Sequence, residues 1–246
     1  MNKKSIVSEN HRTITEIRPE SQFQVVISLT FASLNPISML RIVCFAFVLI
    51  SLKANAQQRT MKDYISHSCP TYYLGLDFTK AKMVGPDFND PPSIINTLFR
   101  SWNNIVTVEA DKYRVPQRLH DYNIRFEMQV VEKNNLSVNA NNLVSFNSHR
   151  ITEDDVRQAV KVLDLSNQKD GIGIVFVVEF FDKSLEEGSA YVAVVDCATN
   201  QVLHTERVVA KAGGFGFKAY WAKCLYGWLE QVDKVLWKRW ETKYGK

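Results

Sequence analysis

His204 and Glu206 lie two residues apart in the segment QVLHTERV, the spacing that sends both side chains to one face of a β-strand. An imidazole beside a carboxylate can hold a divalent cation, or pair a base with the group that orients it, so an enzyme centred on His204 and Glu206 is one reading of the chain. Two ligands without a third make a weak metal site, and neither G-x-S-x-G nor H-E-x-x-H occurs. His120 and Asp121 are adjacent in sequence, which does not bring their side chains together. No catalytic residue or metal ligand is therefore assigned, no cofactor is expected, and the chain reads as a binding protein rather than a catalyst.

The segment KAGGFGFK, Lys211 to Lys218, holds three glycines between two lysines immediately before an expected helix. Backbone donors at such a place can approach an anion, which makes Lys211, Gly213, Gly214, Gly216 and Lys218 a candidate site for a small or anionic ligand. The spacings G-x-x-x-x-G-K-[ST] and G-x-G-x-x-G are both absent. A competing reading gives the glycines only positive φ and close approach, with Phe215 and Phe217 tucked under the sheet.

Four of the five tryptophans fall in the last thirty residues. Phe217, Trp221, Cys224, Leu225, Trp228, Val232, Val235 and Leu236 recur at helical spacing as a core stripe. Tyr226, Leu229, Trp237, Trp240 and Tyr244 form an adjoining flank, so the apolar arc is wider than one sheet face requires. Either the N-terminal segment of the same chain covers that flank, or Tyr226, Trp237, Trp240 and Tyr244 are an interface for a protein partner or a homo-oligomer.

The elements that would position these residues are legible in outline. Tyr72 to Phe78 and Ala81 to Val84 read as strands, and Pro91 and Pro92 open a helix whose apolar face runs from Ile95 to Val106. Lys112 to Asp121 reads as loop or short helix. Ile124, Phe126, Met128 and Val130 alternate with polar residues, the period of a strand, and Asn134 to Asn142 reads as a surface loop. Thr152 with Asp155 resembles a capping box ahead of a helix. Ile172 to Phe181 is a continuous apolar run suited to a central strand, followed by strands at Tyr191 to Asp196 and Gln201 to Val209. The expected fold is α+β: a mostly antiparallel sheet ending in a three-strand meander, with helices packed on it and a long C-terminal helix.

Met39 to Ala56 reads as a signal peptide. It has a short basic start at Arg41, an apolar run from Ile42 to Leu52 too short to span a bilayer, and the cleavage site Ala54-Asn55-Ala56. Residues 1–38 then read as a non-native extension, and 57–246 as a single exported domain in the periplasm or at the cell surface. No membrane span is expected to remain after cleavage. The net charge of +4 belongs largely to the leader, since residues 57–246 hold 24 Lys and Arg against 23 Asp and Glu, which argues against nucleic acid as a partner. Cys69, Cys197 and Cys224 allow at most one internal bridge.

The segments YYLGLDFTKAKMVG, GIGIVFVVEFF and KAGGFGFKAYWAK resemble a family of uncharacterised secreted proteins from Bacteroides-type Gram-negative bacteria, over nearly all of residues 60–246. That resemblance implies export and one intact domain, and carries no activity. DCATNQVLHTERV, Asp196 to Val208, is similar to a strand-turn-strand of envelope α/β modules of the curli-secretion lipoprotein type, with Asn200 where those carry glycine. The combined expectation is a non-catalytic binding or interaction domain of the cell envelope. A small-ligand or anion-binding periplasmic protein is the alternative, and an enzyme around His204 and Glu206 the third reading.

Overall fold

Every residue of β5 (Ile172–Asp182) is buried, and the rest of the sheet is built outward from it. The computed structural model describes residues 58–246; the expected leader and the extension before it lie outside the described residues. Along one edge of β5, two strands dock in succession. β1 (Thr71–Asp77) pairs with Ile172 to Val177, and β2 (Lys82–Val84) with Phe180 to Asp182, both parallel. β3 (Arg125–Phe126) adds outside β1 and β4 (Val144–Ser145) outside β2, again parallel. On the other edge β6 (Glu187–Asp196) and β7 (Gln201–Lys211) follow as antiparallel strands.

The mostly antiparallel sheet expected from sequence is thereby corrected: the first five strands pair in parallel, and antiparallel pairing is confined to β5, β6 and β7. The reason is connectivity. A parallel neighbour must return through a crossover. The chain supplies one in α2, which runs from Pro91–Ser93 through a π turn at Ile94–Leu98 into Phe99–Val108, followed by α3 (Ala110–Tyr113) and α4 (Val115–Arg118). Asp90 starts α2 by accepting from the Ser93 N–H at 3.1 Å, with proline in the first turn.

Two further expectations change. Of the strand read over Ile124 to Val130 only Arg125 and Phe126 pair; α5 (Gln129–Asn135) follows, because Val131 and Asn135 are buried one helical turn apart. The asparagine-rich stretch is not simply a surface loop: Asn135 is buried, and α6 (Ala140–Leu143) precedes β4.

The sheet carries a core on each face. On one, α2 and the C-terminal helix α8 bury Phe99, Trp102, Trp221 and Trp228 against Phe176, Val178 and Phe181. Helix α8 runs through Phe217–Gln231, a π turn at Val232–Leu236, and Trp237–Tyr244. On the other face α7 (Glu153–Lys161), opened by the Thr152–Asp155 capping box, packs Val156, Ala159 and Val160 on Val175, Val177 and Val195. Cys197 lies in the α7 core and Cys224 in the α8 core, so the sheet separates two thiols that are both free. Among the described residues no helix is long and apolar enough to cross a membrane.

Candidate functional site

Two loops meet at the end of the sheet where β5 turns into β6 and β7 leaves for α8. The Asp182 carboxylate accepts from the backbone N–H groups of Ser184 (2.8 Å) and Leu185 (3.1 Å) and so holds the first loop in a tight turn. The second loop is tied to it. The Ala212 N–H donates to the Glu186 carbonyl at 2.7 Å, Lys211 Nζ to the Leu185 carbonyl at 3.1 Å, and the Tyr220 hydroxyl to Glu186 Oε1 at 2.9 Å. Lys183 Nζ lies 4.5 Å from the centre of the Tyr220 ring.

On this support the residues between Ala212 and Phe217 stand clear of the domain. Gly214 (φ +115°) and Gly216 (φ +81°) hold conformations that side chains disfavour, and the segment between them presents Phe215, whose relative exposure is 100 %. Leu185, in the bracing turn, and Phe217, two residues on, are also exposed in part. The reading in which Phe215 and Phe217 tuck under the sheet is corrected for Phe215. Phe217 turns inward, with its ring 5.6 Å from Phe88 and 6.5 Å from Trp102. The glycines that drew attention as an anion cradle therefore act as the stalk of an exposed aromatic residue.

As an anion site the loop is partly spent. The N–H groups of Ala212 and Gly213 are taken by the carbonyls of Glu186 and Tyr220, and Lys211 pairs with Glu187 at 3.1 Å. Lys218 is exposed, and its carbonyl accepts from Trp102 Nε1 at 3.0 Å.

The aromatic flank divides. Trp237 and Trp240 are buried under α1 (Met61–Ile65), where the Tyr64 ring lies 5.5 Å from Trp237 and 6.4 Å from Trp240. The N-terminal segment of the same chain thus covers them, as the first of the two sequence readings had it. Tyr226 and Tyr244 are half-buried, Tyr226 beneath the Arg118 guanidinium at 4.0 Å.

His204 and Glu206 do share a face, 3.2 Å apart, and α8 completes the group. The Tyr244 hydroxyl meets His204 Nδ1 at 3.2 Å and Arg239 meets Glu206 at 2.5 Å. With Nε2–H donating to Glu206, Nδ1 accepts from Tyr244, so a neutral imidazole satisfies both bonds. Burial pushes its pKa below the ordinary histidine range, against the pull of Glu206. This arrangement clamps the last turns of α8 to β7. Among the described residues no group of three or more His, Cys, Asp or Glu is placed to hold a metal ion.

Sequence reasoning missed Leu185 and Phe215. The available signal was an aromatic residue with glycine on both sides, which has no neighbour in the chain bulky enough to shelter it. The chain matches no family model, no curated protein and no solved structure.

Proposed function

We propose that this protein is an exported, non-catalytic binding domain of the cell envelope that engages a protein partner through the loop tip at Phe215, with exposed Leu185 of the bracing turn as a further apolar residue. The observation that carries the reading is the complete exposure of Phe215 on a loop braced by its neighbours. A phenylalanine side chain loses about 1.5–3 kcal/mol by staying in water when it could be buried. None of the described residues covers Phe215, so a second molecule is the cover this reading supplies. One aromatic anchor in a partner's pocket, with partly apolar neighbours around it, is the usual centre of an interface. Export is supported by the signal-peptide pattern from Met39 to Ala56.

The test places a photo-crosslinking phenylalanine analogue at position 215 in the exported protein, with the same analogue at exposed Lys161 as the control. A discrete adduct with one other envelope protein, seen from 215 and not from 161, is the expected result. An adduct between two copies of the chain would replace the partner by a homo-oligomer, and no adduct from 215 would sink the reading. N-terminal sequencing of the exported protein is expected to begin at Gln57; a protein beginning at residue 1 would remove the export half.

A further inference from the structure

Arg118 is 8 % exposed, and among the described residues no carboxylate lies within ion-pair distance of it. Most arginines so little exposed are paired; Arg118 makes no ion pair, and its charge acts at longer range on Glu230 of the same cleft. Its Nη1 donates to the Tyr226 carbonyl at 3.0 Å, with the planar group lying over the Tyr226 ring. Its other N–H donors are left to solvent or to a ligand in the adjoining cleft.

This group lines a cleft of about 530 Å³ between the segment from Arg114 to Tyr122 and the middle of α8. The two carboxylates on the cleft wall are already engaged. Glu230 holds Lys234 at 2.7 Å, and Asp233 holds His120 Nε2 at 2.9 Å. The cations left over are Arg118 and Arg114. Arg114 is exposed, has no ion-pair partner among the described residues, and joins α3 to α4 in the left-handed conformation at φ +45°. A non-glycine residue held there is strained, and such strain is maintained only where the surrounding structure fixes it. Arg114 and Gln117 also border a second cavity of about 410 Å³, whose walls include Val106, Val115, Pro116 and Phe126. Gln117 Oε1 is buried without a partner.

Two guanidinium groups without an ion-pair partner among the described residues, an aromatic floor, and an adjoining compartment of mixed lining, apolar at Val106, Val115, Pro116 and Phe126 and polar at Thr107 and Asp111, suggest a ligand by their chemistry. We propose that this cleft binds a small organic anion, a carboxylate or phosphate carried on an apolar body. The anion lies against Arg114 and Arg118, and the body extends past Arg114 toward Val115 and Phe126. The cleft is separate from the Phe215 tip, and either can fail without the other.

The experiment is isothermal titration calorimetry of the exported protein with benzoate and phenyl phosphate. Benzylamine is the charge-reversed probe and inorganic phosphate the probe without a body. Both aryl anions are expected to bind, phenyl phosphate more tightly than inorganic phosphate, with no heat from benzylamine. Because Arg114 is exposed, Arg114→Gln should leave the thermal midpoint unchanged while weakening the aryl anions by about tenfold, the loss expected for one charge-assisted bond. Arg118→Lys, which keeps the charge and removes the planar fork, should weaken phenyl phosphate as well. Silence of both anions at millimolar concentration, equal binding of benzylamine, or unchanged affinity in Arg114→Gln would overturn the proposal. Equal affinity for inorganic and phenyl phosphate would overturn the part that assigns an apolar body.

Discussion

Asn103 of α2 and Asn135 of α5 donate their side-chain N–H groups to the same backbone carbonyl, that of Leu76, at 3.1 and 2.8 Å. Their oxygens accept in turn from the N–H groups of Leu76 and Phe78, each at 2.7 Å. β3 ends beside Tyr73 and β4 begins beside Met83, so the outer edge of the chain between them has no strand to pair with. The two amides take that strand's place, satisfying buried backbone groups that would otherwise be orphaned. Gly75, at φ +97°, is the residue whose lack of a side chain lets Asn103 reach the edge.

Replacing either asparagine by leucine should therefore cost about 1–3 kcal/mol, the penalty for leaving a buried polar group unpaired. The double variant should lose less than the sum of the two, because both amides serve Leu76. Urea unfolding of the four proteins measures this, and a strictly additive loss would mean that the amides act independently.

Tyr64 closes the aromatic flank from α1, with its ring against Trp237 and Trp240 and its hydroxyl donating to the Leu119 carbonyl at 2.9 Å. Tyr64→Ala should lower stability by about 3–5 kcal/mol, as for other large aromatic truncations. It should also expose Trp237 to acrylamide quenching. A variant with unaltered quenching would show that α1 does not shield the helix.

Burial raises the carboxyl pKa of Asp77, against the opposing hydrogen bonds from Thr79, and Oδ2 has no partner. The sign follows from linkage. Below the unfolded value of 3.8 the group is neutral in both states and contributes nothing. As pH rises above it the unfolded chain ionises first, so stability falls. Asp77→Asn, which retains the oxygen that accepts from Thr79, should match the wild type near pH 3 and exceed it at pH 7. Chemical denaturation at the two pH values checks this; a variant less stable at pH 7 would refute it.

Burial pushes the thiols of Cys197 and Cys224 up to about 12; it raises the Cys69 thiol too, but Cys69 is only half-buried and open to reagent. Since the thiolate is the reactive form, iodoacetamide at pH 7.5 should alkylate Cys69 in the folded protein and the other two only after unfolding. Intact-mass analysis without reductant should show no Cys197–Cys224 bridge, because the sheet lies between them. A mass lower by two hydrogens, mapped to that pair, would contradict the placement.

Much of the candidate site was within reach of the sequence as a segment, though not as a role. KAGGFGFK stood out for its glycines, but whether Phe215 points in or out depends on what lies beside it. That is settled by the turn at Ser184 to Glu186, which reaches the loop through Ala212 and Tyr220. The anion cleft was legible only as scattered charges, because Arg118, Tyr226 and Asp233 meet through the packing of α4 on α8.

By itself the sequence determined what depends on near neighbours in the chain. The Thr152–Asp155 capping box, the proline start of α2, the apolar run of β5 and the left-handed turn at Asn200 are each set by residues within a few positions of one another. The tertiary structure decided the direction of β1 against β5, the covering of Trp237 by Tyr64, and the use of Asn103 and Asn135 as a substitute strand. Each of these joins segments far apart along the chain. An apolar run or an amide side chain records that it needs a partner, but the partner is chosen by the crossover that brings the distant segment alongside.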